Sequence, residues 1–217
     1  RLEREAAGLE EEVRRKGVTL SGLRGKAAAK LASAMQRELA SLSFPQAMFE
    51  VEMGGGGSDG EAINARGLDQ VEFLFSANPG EPVKPLAKVA SGGELSRLML
   101  AMKCLLARRD QVETVVFDEV DAGIGGKAAD AVARKIGELA SHHQVLCITH
   151  LPQIAAWADE HLTVAKAVAD GRTVTAISRL DNEQRVMELA RMLGGERLTK
   201  QTLAYARELV EGREGAL

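Results

Sequence analysis

Two carboxylates, Asp118 and Glu119, stand directly after an apolar run of strong β propensity at residues 114–117. A buried strand of an α/β fold presents such acids at its carboxyl end, where these folds bind ligands. An aspartate there can hold Mg²⁺ directly or through water, and a neighbouring glutamate can orient or deprotonate an attacking water. Asp121 follows in a predicted turn beside the same site. The alternative is a strand that simply ends in polar residues.

A glycine pair, Gly92 and Gly93, opens a predicted amphipathic helix over residues 91–109. Ser91 and Glu94 fit a capping box, which begins helices of any function. Two adjacent glycines add nothing to such a cap and cost conformational entropy. They do allow a ligand to approach the free N–H groups at the positive end of the helix, so the pattern favours a phosphate-binding helix tip.

His150 ends a third run of this kind, an apolar strand over residues 144–149. A lone histidine is more often structural than functional, but at the end of a neighbouring strand its ring could contact a terminal phosphate. Glycine pair, acid pair and histidine follow in that order, each beside the strand or helix that its chemistry needs. The order is more informative than any one motif.

A P-loop, G-x-x-x-x-G-K-[ST], is missing from the sequence. Gly25-Lys26 and Gly126-Lys127 come nearest, but alanine follows each pair and the earlier glycine is missing. We interpret both pairs as helix starts. The chain therefore carries the acids of a phosphate-hydrolysing site without the loop that cradles the phosphates.

The elements that would position these residues alternate along the chain from residue 91 onward. Helices are predicted over 91–109, 126–141, about 152–158, 182–193 and 199–213, and strands over 114–118, 144–149, 162–167 and 172–179. Such alternation predicts an α/β fold with a mostly parallel sheet. Upstream, 49–53 and 71–75 are predicted strands, with a flexible glycine-rich turn at 54–60 between them.

Residues 1–42 repeat apolar side chains at spacings of mostly three, four or seven, which is typical of an amphipathic helix. Gly8, Gly17, Gly22 and Gly25 interrupt the pattern, so one unbroken helix is not expected. A pair of surface helices and a coiled-coil arm fit the pattern about equally. Because Arg1 already stands in a helical pattern, we expect the start of the protein to lie elsewhere.

The composition argues against several function classes. A net charge of -3 and a pI of about 5.9 provide no domain-wide basic surface for nucleic acid. No apolar stretch approaches the roughly 20 residues that span a bilayer. Cys104 and Cys147 stand in apolar runs without a second cysteine or histidine at ligand spacing, so we expect buried free thiols rather than a zinc site.

In combination the motifs resemble those of ABC ATPases. The amino-acid sequences within and around them resemble those of the RecN family of bacterial DNA-repair ATPases. The segments that carry the resemblance are 85–97, 117–126, 148–155 and 185–195. It extends from about residue 43 to the C-terminus, and 1–42 fits the returning arm of a coiled coil. The resemblance implies the C-terminal half (43–217) of an ABC/SMC-type P-loop NTPase head, whose P-loop half precedes the coiled coil.

The resemblance also assigns roles to residues. Ser91, Gly92, Gly93 and Glu94 match the signature loop, Asp118 and Glu119 the end of a Walker B strand, Asp121 the D-loop acid, and His150 the switch histidine. Ala90 stands where the superfamily usually has leucine, and Glu94 where transporters often have glutamine.

The implied function is ATP hydrolysis by a homodimer in recombinational repair of DNA double-strand breaks in the bacterial cytoplasm. Two heads would sandwich two ATP molecules with Mg²⁺, with Asp118 on the metal and Glu119 and His150 as catalytic residues. DNA and the N-terminal P-loop half are implied partners, a membrane is not, and this chain alone should be inactive. An ABC transporter ATPase subunit and a non-enzymatic coiled-coil scaffold are the alternatives, and residues 1–42 argue against the transporter.

Overall fold

The computed structural model describes residues 1–54, 63–89, 91–169, 172–195 and 197–214. The chain divides into two compact units, Arg1–Ser91 and Gly92–Leu217. Most of the predicted glycine-rich turn at 54–60 lies outside the described residues, and so does Ala90. None of the described helices is long and apolar enough to cross a membrane.

One continuous helix of 40 residues, α1 (Leu2–Ser41), begins the first unit. The prediction that its four glycines would interrupt it was wrong, because each glycine weakens a helix by only about 1 kcal/mol relative to alanine. The interpretation of Gly25-Lys26 as a helix start was also wrong, since the pair lies inside α1. Gly17 packs against the side chain of Leu68, so this glycine makes room for a neighbour.

The apolar stripe of α1 differs along its length. Near the start of the helix Leu2, Leu9 and Val13 are exposed, whereas Met35 and Leu39 near its end are completely buried. The buried end packs on the first strand of this unit. An exposed apolar stripe on a long helix is typical of a helix that pairs with another helix.

Three antiparallel strands complete the first unit in the order β1 (Met48–Gly54), β2 (Gln70–Ser76) and β3 (Lys84–Pro85). Phe49 and Phe75 are buried register partners, and Phe44 packs edge-on against Phe75 with ring centroids 5.8 Å apart. These strands contain both predicted strands of the region. A 3-10 turn at Leu86–Lys88 follows β3.

The second unit contains a parallel pair, β4 (Thr114–Phe117) and β5 (Gln144–Cys147), which α3 (Lys127–Ala140) connects. Helix α2 (Gly92–Leu106) packs beside α3. Gly126 is the N-cap residue of α3, so the second predicted helix start is confirmed. This β-α-β unit brings the carboxyl ends of both strands to one edge, which is what the candidate site requires.

The parallel pair has one covered and one open face. Val115 and Phe117 are buried, while Val116 and its register partner Leu146 are 60% and 47% exposed, and Ile148 continues the exposed row. Among the described strands the remaining pairs are antiparallel. The strands β6 (Leu162–Ala169) and β7 (Arg172–Arg179) pair in this way because the short connection between them cannot make a parallel crossover.

The end of the second unit is helical. The helices are α4 (Pro152–Ala155), α5 (Asn182–Gly194) and α6 (Lys200–Glu214). They share a small core built mostly from alanine and leucine, in keeping with the low aromatic content. Helix α5 begins with a capping box in which Asp181 and Gln184 exchange hydrogen bonds of 2.8 and 3.0 Å.

Candidate functional site

The second unit brings most of the predicted site residues to one edge. The N-terminus of α2, the turn after β4 and the end of β5 meet there and supply Gly92, Gly93, Asp118, Glu119, Asp121 and His150. Glu94 lies partly buried in the first turn of α2, and Ser91, immediately before the helix, is exposed.

The two glycines allow α2 to approach the turn after β4 closely. A Cβ atom at Gly92 would overlap the Glu119 carboxylate, and one at Gly93 would lie 2.8 Å from the Ala122 Cβ and 3.0 Å from the Ala122 carbonyl oxygen. Gly92 is exposed and Gly93 is buried. The glycine pair was predicted to serve a ligand, but the packing of α2 against Ala122 also requires a glycine at position 93.

Two side chains of α2 that the sequence analysis missed hold the same turn. Ser96 Oγ donates to the carbonyl oxygen of Asp118 at 2.8 Å. Arg97 Nη1 donates to the carbonyl oxygens of Ala122 at 2.8 Å and Val120 at 3.4 Å. Helix α2 therefore donates hydrogen bonds to three alternate backbone carbonyls, those of residues 118, 120 and 122, in the turn that carries the acid pair.

Arg97 is only 6% exposed, an unusual position for a charged side chain. Burial lowers the pKa of its guanidinium group, and the carboxylate of Glu94 opposes that effect. Arg97 stands four residues after Gly93 and four before Ala101, both of which are buried on the same helical face. A charged residue on the apolar face of α2 was the signal that could have revealed it.

Asp118 and Glu119 are exposed at the end of β4. One carboxylate oxygen of Asp118 accepts a hydrogen bond from the backbone N–H of Glu119 at 2.9 Å. Glu119 has a φ of 56°, a left-handed conformation that costs a non-glycine residue about 1 kcal/mol or more. The unusual backbone directs the Glu119 carboxylate towards Gly92 of the same chain.

These acids suit a cation that is bound mainly by other groups. Among the described residues no cluster of three or more His, Cys, Asp or Glu side chains could hold a metal ion. Asp118 can offer its second carboxylate oxygen, and Mg²⁺ in phosphate-binding enzymes commonly takes one or two carboxylates together with phosphate oxygens and water. The donor set therefore fits Mg²⁺ whose remaining ligands are water or phosphate oxygens.

Asp121 joins the turn after β4 to the end of β5. The residue is 3% exposed, and Oδ2 of its carboxylate accepts hydrogen bonds from Thr149 Oγ1 at 2.6 Å and from the His150 backbone N–H at 2.8 Å. The same oxygen lies 3.0 Å from Nδ1 of His150, whose side chain is 73% exposed. Asp121 thus fixes one ring nitrogen of His150, while most of the ring stays accessible from solvent.

Both cysteines of the chain are free and partly buried. Burial, together with the negative charges of Asp121 and Asp118, raises the pKa of the Cys147 thiol to about 12. A thiol with this pKa remains protonated near neutral pH, so Cys147 is not a nucleophile of this site.

Comparison with known proteins finds relatives over most of the chain, although no family model matches it. The DNA repair protein RecN of Bacillus subtilis is 41% identical over an alignment of 221 positions that covers 97% of this chain and 38% of that protein. RecN of Treponema pallidum is 53% identical over 150 residues, 69% of this chain and 26% of that protein. The chain therefore spans less than two fifths of the length of these relatives.

The fold also has a counterpart among solved structures. An Smc head domain with a coiled coil and joint from Pyrococcus yayanosii is similar over 77% of this chain and 29% of that chain, with a TM-score of 0.54 and 23% identity. At this identity the likeness concerns the fold. The chain thus shares the fold of an SMC-type head domain.

Proposed function

We propose that this chain, which belongs to the RecN family of DNA repair proteins, forms the C-terminal half of an ATP-hydrolysing head. Residues 1–42 would be the returning arm of a coiled coil, and residues 43–217 the head segment. The other half of the head would supply the P-loop. The names of the relatives favour a repair protein over the transporter and scaffold alternatives.

The convergence of the α2 tip, the acid pair and His150 carries this proposal. These groups come from separate parts of the second unit, and hydrogen bonds through Ser96, Arg97 and Asp121 hold them together. The exposed members are the ones that would meet a ligand, while Asp121 and Arg97 are buried beneath them. An exposed reactive layer on a buried polar support is the arrangement that catalysis requires.

In the proposed mechanism Asp118 would hold Mg²⁺, which would neutralise phosphate charge when bound. Glu119 accepts a proton from the attacking water, and the ring of His150 contacts the terminal phosphate on the side that Asp121 does not hold. Ser91 and Gly92, both exposed, present N–H groups of the helix tip to the nucleotide of a second head.

Dimer formation would then depend on the nucleotide. Each contact between the helix tip and a phosphate adds roughly 0.3–1 kcal/mol when exposed and up to about 2 kcal/mol when partly buried. A head gains this contribution only when a second copy is present. ATP would therefore join two heads, and hydrolysis would release them from each other, with the arms carrying the cycle to DNA.

The test replaces Glu119 in the full-length protein that contains this chain. Glu119→Gln should bind ATP and dimerise but hydrolyse about 10²–10⁴ times more slowly, because the proton acceptor is lost. Glu113→Gln, an exposed acid at the opposite end of β4, is the matched control and should hydrolyse normally. This chain alone should show no turnover, since its sequence has no P-loop. Normal hydrolysis by Glu119→Gln, or turnover by the pure chain, would contradict the proposal.

A further inference from the structure

Arg97 joins the helix that begins at the candidate site to the turn that carries the acids. It lies one and a half turns into α2, and its Nη1 atom reaches the carbonyl oxygens of Val120 and Ala122. Ser96 adds the bond to the Asp118 carbonyl. Hydrogen bonds from two adjacent side chains therefore set the position of the turn relative to α2. Of these two residues, Arg97 is the more deeply buried.

The turn that Arg97 holds is short and internally bonded. Ala122 N–H donates to the Glu119 carbonyl oxygen at 3.0 Å, so the Arg97 bond to Ala122 also restrains the backbone of Glu119. Asp121 stands between the two carbonyls that Arg97 contacts, and its side chain holds His150. A shift of this turn would move the carboxylate of Glu119 and the ring of His150 together.

The glycine of the helix tip makes this bond possible. A Cβ atom at Gly93 would lie 3.2 Å from Arg97 Nη1 as well as close to Ala122. The absence of a side chain at Gly93 therefore provides the space in which the guanidinium group reaches the turn. Gly93 and Arg97 together form one joint between α2 and the turn after β4.

Packing alone does not explain an arginine at this place. A buried charge loses its hydration and is tolerated only when hydrogen bonds replace it, so a leucine or methionine would suit the apolar face of α2 better. The planar guanidinium can serve two neighbouring carbonyl oxygens at once, whereas a lysine ammonium is a compact group on a flexible stem. The chemistry of the side chain thus matches the two acceptors.

We infer that Arg97 is a positioning residue for the reaction, which keeps Glu119 and His150 in register with the tip of α2. The inference rests on the proposed ATPase function. It places Arg97 away from the nucleotide and assigns its effect to the turn at residues 119–123. The residue should influence the rate of the chemical step much more than the binding of the substrate.

The experiment compares Arg97→Met and Arg97→Lys with Arg134→Met, which alters an exposed arginine of α3, in the full-length protein. Both Arg97 variants should lower kcat by about tenfold to a hundredfold with KM within about twofold of the wild type, because small displacements of catalytic groups have effects of this size. Arg97→Lys should be the milder variant, and Arg134→Met should leave both constants unchanged. An unchanged kcat in folded Arg97→Met would overturn the inference.

Two further measurements cover the other outcomes. If Arg97→Met does not fold, Arg97→Lys, which keeps the charge, provides the test instead. A kcat and a thermal stability equal to those of the wild type in Arg97→Lys would overturn the inference. If the wild type itself hydrolyses no ATP, the proposed function fails. The inference about Arg97 then depends on hydrogen exchange of the amides of residues 119–123, which should be faster in Arg97→Lys than in the wild type. Unchanged exchange would overturn it.

Discussion

The Oδ2 atom of Asp121 lies 3.0 Å from Nδ1 of His150 and accepts the backbone N–H of the same residue at 2.8 Å. One buried oxygen thus fixes both the main chain and the ring of an exposed histidine. The two residues follow different strands, so this contact also joins the ends of β4 and β5. Its removal should therefore lower the stability of the chain.

Asp121→Ala should lower the free energy of unfolding by about 1–3 kcal/mol, because it leaves the Thr149 hydroxyl and the His150 N–H without their buried acceptor. Denaturation in urea measures this change. Asp130→Ala, which removes an exposed carboxylate from the first turn of α3, should have a much smaller effect. Equal stability of the two variants would show that the Asp121 contacts contribute little.

Gly93→Ala should destabilise the chain by about 1–3 kcal/mol, because the new methyl group would meet the Cβ and the carbonyl oxygen of Ala122, which can move only with the backbone. Gly92→Ala is the matched comparison. It meets only the end of the Glu119 side chain, which can rotate away, and stability should stay within about 1 kcal/mol of the wild type. Thermal melts of both variants measure this difference. A larger loss of stability in Gly92→Ala than in Gly93→Ala would contradict the packing described for α2.

Cys147 should react very slowly with maleimide at pH 8. Its pKa of about 12, against an ordinary 9.0, lowers the thiolate fraction about a thousandfold. Labelling of a Cys104→Ser variant isolates this thiol, and free glutathione provides the reference rate. The same variant in urea should label rapidly. Labelling of the folded variant at the glutathione rate would show that the thiol is neither buried nor close to the carboxylates of Asp118 and Asp121.

His161 should make the stability of the chain fall as the pH drops below about 6.5. Burial lowers the pKa of its ring, the charge of Arg185 lowers it further, and Glu188 acts in the opposite direction. The unfolded chain therefore takes up a proton at a higher pH than the folded chain, so the contribution is fully present above about pH 6.5 and is lost as the pH falls towards the folded pKa.

Urea denaturation between pH 7 and pH 5 tests this dependence. The free energy of unfolding should fall less steeply in His161→Gln than in the wild type. His142→Gln, at an exposed position, should follow the wild type. Identical slopes for His161→Gln and the wild type would rule out His161 as a source of the pH dependence.

The strands and helices that carry the site were predictable because local patterns determine them. Apolar runs that end in Asp118 or in His150 are strands in the structure, and the glycine pair does begin a helix. The glycine at position 126 was likewise enough to predict the start of α3. The parallel pairing of β4 with β5 follows from the helix between them, so the meeting of the acids and the histidine at one edge could be foreseen.

Other features depended on contacts between distant residues. The apolar face of α2 already marks Arg97 as unusual in the sequence, but its two carbonyl acceptors lie more than 20 residues away and are identified only when the turn after β4 lies against α2. Thr149 was passed over for the same reason. The glycines of α1 were overestimated as breaks, because a propensity cost of about 1 kcal/mol each does not end a long helix.

The open face of β4 and β5 has a practical consequence for anyone who purifies this chain by itself. Val116, Leu146 and Ile148 form an aliphatic row in contact with water, and burial of such side chains is worth about 1.5–3 kcal/mol each. Two copies can bury these rows against each other without any nucleotide. Concentrated solutions of the isolated chain should therefore self-associate, and dimers seen under those conditions would not test the proposed ATP-dependent pairing of heads.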